Sequence, residues 1–162
     1  MATHVLDRAH GADVAEACGA LAWLAPLGRV LFALIFVASG LSHFSRPTIA
    51  YAASQGVPFA GFFVPLAGVL AILGGLGVAL GFEARIAALL LVIFLVPVTL
   101  KMHAYWTVTD PMAAMNLRIH FMKNVSMLGA ALFFLWSGAG PVSLDALRQR
   151  RSSAAVPPGA AP

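Results

Sequence analysis

Charge is scarce in this chain. Of 162 residues, ten are Lys or Arg and six are Asp or Glu, so 10% are charged while 60% are hydrophobic. A soluble domain carries roughly 25% charged and roughly 45–50% apolar residues. A water-solvated shell around an ordinary core is therefore excluded, and the mean hydropathy of +0.90 agrees. Cysteine is almost absent. Cys18 stands alone, which rules out an internal disulfide, a CxxC redox pair and a thiolate metal cluster. Acids are missing from the apolar segments altogether. The formal charge of +4 does not point to nucleic acid, because the basic residues are scattered and three of the ten fall in the tail "RQRR", as a cytoplasmic flank would have them.

What the chain does have is length of apolar sequence. Four segments stand out: Pro26 to Phe44, about Phe59 to Phe82, the run "IAALLLVIFLVPVTLKMHAYW" after Glu83 and Arg85, and a last one from about Met115 to "LWSGAGP". Each is long enough, at ~1.5 Å per residue, to cross a hydrocarbon core of ~30 Å. The expected fold is all-α, a transmembrane four-helix bundle over residues 21–145. Residues 1–20 hold Asp7, Arg8, Asp13 and Glu16; three acids suit a signal peptide poorly, so an uncleaved cytoplasmic segment is expected. Ser45 to Pro58, with "SRPT" and "QGVP", reads as a turn-rich link at the interface. Residues 146–162, basic and rich in Pro and Ala, read as a disordered tail. Gly74, Gly75 and their small neighbours suit close helix packing in lipid, and Pro97 is expected to kink the third span.

Four spans place both termini on one side. Arg8, Arg29, Arg85, Arg148, Arg150 and Arg151 lie there, against Arg46, Lys101, Arg118 and Lys123 opposite, so cytoplasmic termini are expected. The opposite four need a reason of their own. Only fourteen residues separate Lys123 from Gly138, about 21 Å of helix, which leaves Lys123 short of the far interface of a ~30 Å core. Lys101 falls short in the same way after Arg85. Ionisable groups at such depth are costly, by ~2.5–3.5 kcal/mol on insertion scales, and normally face a bundle interior. In "HFMKNVSM", His120, Lys123, Asn124 and Met127 have i, i+3, i+4, i+7 spacing and share a face. Chain direction brings His43, Lys101, His103, Trp106, His120, Lys123 and Asn124 to one end, so they are expected to form a single polar pocket. Arg29, in the first turns of its helix, is expected to reach headgroups along its stem. No two of His43, His103 and His120 share one helix at metal-ligand spacing, and no acid accompanies them in the spans, so no metal is expected. An electropositive, hydrogen-bonding pocket with Tyr105, Trp106, Phe121 and Met122 around it suits an amphipathic molecule with a carbonyl head, a quinone first and a lipid headgroup second.

The strings "LGRVLFALIFVASGLSHF", "GVPFA", "GGLGVALGFEARIAALLL" and "GAGPVSLD" together resemble the DoxX family of small membrane proteins, over roughly residues 27 to 145. The resemblance implies a four-helix bundle in a bacterial inner membrane. It also implies kinship with a subunit of a thiosulfate:quinone oxidoreductase and with partners of soluble redox enzymes in oxidative-stress complexes. Arg29 matches the family's first-helix arginine, His43 stands where relatives carry a polar or basic residue, and Leu144-Asp145 match the closing motif. Many relatives have a glutamate in the second helix where Ala71 stands here, so a proton-transfer role for that acid does not carry over. The expected function is a quinone-binding subunit of a membrane redox complex, with no covalently bound cofactor. Lys101 and Lys123 would stabilise reduced quinone, His43 or His120 would exchange protons, and a redox partner would supply electrons. The alternative is a non-enzymatic anchor or assembly factor for partner proteins.

Overall fold

The computed structural model describes Gly19 and residues 21–154. The expected cytoplasmic segment apart from Gly19, Cys18 included, and the last eight residues of the tail lie outside the described residues. Within them the order is α1 (Leu24–Ser42), α2 (Arg46–Ser54), α3 (Ala60–Leu80), α4 (Ala84–Met102), a 3-10 turn (Tyr105–Thr107), α5 (Pro111–Ser137) and α6 (Leu144–Ala154), with no strand among the described residues. Among the described residues four segments are long and apolar enough to cross a membrane: α1, α3, α4 with the turn after it, and α5. The all-α four-helix bundle is the observed architecture.

Each helix starts or stops for a local reason. The α3 C-terminus closes in a Schellman pattern: Phe82 N–H donates to Gly77 O and Gly81 N–H to Val78 O, with Gly81 at φ +61, where only a residue without Cβ sits freely. Asp110 caps α5, its carboxylate accepting from Ala113 N–H at 2.7 Å, and Pro111 opens the first turn. That cap starts α5 four residues before the expected Met115, because an Asp-Pro pair is itself a helix-start signal. The link Ser45–Pro58 is also corrected. It holds α2, capped by the Ser45 hydroxyl with Pro47 in the first turn. The tail is corrected over 146–154, which form most of α6. Ser143 Oγ accepts from Ala146 N–H, and Asp145 lies in the first turn, where the helix dipole favours an acid.

α3 lies between α1 and α4, and α4 lies between α3 and α5. Adjacent glycines make the first arrangement possible. A Cβ on Gly74 would meet Leu91 Cδ2 at 2.7 Å on α4, and one on Gly75 would meet Phe36 Cβ at 3.2 Å on α1. The core joins Phe36, Ala71, Val78, Leu91, Phe94, Leu95 and Ala131. Outside it, Leu31, Leu34, Leu73, Ile86, Leu132 and Phe133 are exposed, an apolar surface that lipid covers and water would not. The near end of the bundle, at the start of α1 and the end of α5, carries α6; the far end carries α2 and the 3-10 turn.

Candidate functional site

The near end is a clamp. Arg29, 2% exposed, donates from Nη1 to Ala139 O and from Nη2 to Val142 O at 2.6 Å. It ties α1 to the segment joining α5 and α6. The expectation that it reaches headgroups is therefore corrected: the side chain is buried, and both terminal nitrogens of its planar fork donate to inward carbonyls. Asp145 caps α4 from a distance, accepting from Glu83 N–H at 2.8 Å and Ala84 N–H at 3.0 Å. A cleft of about 570 Å³ lies beside it, but its charges are already spent. Arg148 pairs with Glu83 at 3.1 Å, Arg85 donates to Trp136 O, and Asp145 serves α4.

At the far end the expected single pocket divides into two sites. The first is a cavity of about 510 Å³ bounded by α1, α2, α3 and α4, within the usual range for small-molecule sites. Its walls are apolar, from Ala52, Phe63, Val64, Leu70 and Phe94; His43, Thr48 and Lys101 supply its polar side chains. Phe63, Leu66, Ile93 and Pro97 line it and are exposed, so it opens sideways to lipid between α3 and α4. The His43 ring stands edge-on to Phe94 at 5.6 Å, and its Nδ1 lies 2.8 Å from Ser39 O. A carbonyl only accepts, so Nδ1 carries the proton and Nε2 is left to meet a ligand. Lys101 extends over the α2–α3 link, its Nζ 3.4 Å from where a Gly56 Cβ would stand.

The second site lies between α4 and α5. The His103 and His120 rings stack with centroids 5.4 Å apart, and Lys123 Nζ comes within 3.4 Å of His120 Nδ1. Tyr105, Trp106 and Phe121 form a contiguous aromatic group beside them. Lys123 and Asn124 do not face inward together, contrary to expectation. Asn124 is buried at 5% exposure, whereas Lys123 is exposed, because neighbours on a helix point about 100° apart. Neither of them, nor His103, Trp106 or His120, lines the lipid-facing cavity. Sequence reasoning missed Thr48 and the role of Pro97. The proline, expected from the sequence only as a kink that leaves Ile93 O without its helical donor, lines the cavity one turn before Lys101 on the same face.

Comparison with known proteins places these features in a family. The DoxX family model matches residues 24–104. The inner membrane protein YphA of Escherichia coli K12 is 32% identical over 121 residues, covering 74% of this chain and 86% of that protein. The inner membrane protein YqjF of the same organism is 28% identical over 127 residues, covering 77% and 92%. An uncharacterized membrane protein, Rv3486, of Mycobacterium tuberculosis is 33% identical over 137 residues, covering 78% and 82%. No solved structure matches the chain.

Proposed function

This chain belongs to the DoxX family, and from that premise we propose that it is a quinone-binding membrane subunit of a redox complex, with the lipid-facing cavity as its quinone site. The observation that carries this reading is an apolar cavity open to the bilayer with Lys101 and His43 in its lining. A quinone has a polar ring with two carbonyl oxygens and an apolar tail. The tail fits the exposed gap between α3 and α4; the ring fits beside Phe94, where Lys101 meets one oxygen. On two-electron reduction that oxygen gains negative charge, which an ammonium stabilises strongly in a low-dielectric site. Reduction to the hydroquinone also takes up two protons: His43, when doubly protonated, gives one from Nε2, and water at the interface gives the other. Electrons enter from a partner protein.

The relatives named as inner membrane proteins support a bacterial inner membrane location. Arg85, Arg148, Arg150 and Arg151 at the near end support a cytoplasmic α6. A second reading, a membrane anchor for partner proteins, draws on α6, whose Arg150 and Arg151 are exposed. A titration of detergent-purified protein with a short-chain quinone separates the two. A ligand at ~100 times its Kd stabilises the folded state by about 2.7 kcal/mol. Saturable thermal stabilisation that is lost in Lys101→Gln and kept in Lys123→Gln supports the quinone site. A folded wild type that does not respond leaves the anchor reading.

A further inference from the structure

We infer that His103, His120 and Lys123 form a binding site for the phosphate of an anionic lipid in the far leaflet, separate from the cavity proposed for quinone. The depth comes from two ties between α4 and α5. Arg85 meets Trp136 O at one end, and His103 stacks on His120 at the other. The path between them is about 27 Å along α4 and about 24 Å along α5 at ~1.5 Å per residue. With a core of ~30 Å, the imidazole pair sits where hydrocarbon gives way to headgroups. Lys123 starts about one turn deeper, and its stem runs back toward the N-terminus of α5, as helical side chains do, to bring Nζ to His120.

Three basic side chains thus converge with no acid to balance them. The described residues contain three acids: Glu83 and Asp145 are at the near end, and Asp110 is spent on the α5 cap. Among the described residues His103 Nδ1 is buried with no partner, a group that ordinarily finds one. Such an arrangement is stable when an anion completes it. The phosphate oxygens accept from Lys123 and the imidazole N–H groups, while exposed Trp106 and the adjoining Tyr105 sit at the interface as aromatic belts do. The lipid supplies acyl chains to Met122 and Val125, exposed on α5 on the core side of His120, which a free phosphate cannot, so we assign the headgroup rather than the inorganic ion.

The test is the thermal stability of detergent-purified full-length protein on titration with phosphatidylglycerol, phosphatidylcholine or inorganic phosphate. The wild type is expected to be stabilised by phosphatidylglycerol well beyond phosphatidylcholine, and not by inorganic phosphate. In the doubly substituted His120→Gln, Lys123→Gln protein the phosphatidylglycerol concentration for half-maximal effect is expected to rise about tenfold or more, the scale of lost charge-assisted hydrogen bonds. Lys123→Arg keeps the charge and should stay near wild type. Arg148→Gln, at the other end, should behave as wild type. An unchanged response in the double variant overturns the site. Equal response to both lipids, or to inorganic phosphate, overturns the assignment of an anionic headgroup.

Discussion

Arg29 ties distant parts of this chain together. It is buried, and its two bonds reach carbonyls 110 and 113 residues away. Gly81 exists in its present form partly for this clamp, since a Cβ there would stand 2.6 Å from Arg29 Nη1 and 2.5 Å from Ser143 Cβ. In Arg29→Met the carbonyls of Ala139 and Val142 lose their donor, and the expected loss is about 2–4 kcal/mol, read as a lower apparent Tm in detergent. Arg29→Lys should recover only part, because one ammonium cannot reproduce the planar fork. The sequence marked Arg29 as matching a family position, yet its partners were invisible there. Backbone carbonyls far along the chain leave no trace in periodicity or spacing. Lys123 and Asn124 show the same limit at short range: spacing puts residues on a face, but exposure depends on how α5 is rolled against α4.

At the scale of elements, the spans were plain from hydropathy because an apolar run of membrane length has few other uses. Their ends were less plain. α2 and α6 rest on Ser45 and Ser143 caps that are short polar signals inside stretches rich in Pro, Gly or charge. The paired glycines of α3 were legible as packing positions, and the structure adds which neighbour each serves. Gly74 faces α4 and Gly75 faces α1. A large side chain at Gly75 should therefore loosen α1 while leaving the α3–α4 contact in place. We expect Gly75→Leu to cost about 1–3 kcal/mol, the usual range for overpacking. Protease or thiol accessibility introduced on α1 should rise more than on α4, and Gly74→Leu should give the opposite order.

For the whole molecule, one end is closed and the other receptive. The near end spends its charges on structure: Arg29 on carbonyls, Asp145 on the α4 N-terminus, Arg148 on Glu83. Among the described residues, the far end leaves Lys101, the Lys123–His120 pair and the Nε2 of His43 without such structural partners. Composition made that end conspicuous, and chain direction gathered its residues there. It could not show that α4 stands between His43 and the α5 cluster and so makes two sites of one. The quinone proposal now rests on the cavity between α3 and α4, and a photoreactive short-chain quinone tests it most directly. Labelled protein in bilayers, digested and mapped by mass spectrometry, should carry the label on Phe63–Leu70 and Ile93–Met102, with excess unlabelled quinone removing it. Label confined to α5 around His120 and Lys123, or label that unlabelled quinone does not displace, would contradict it.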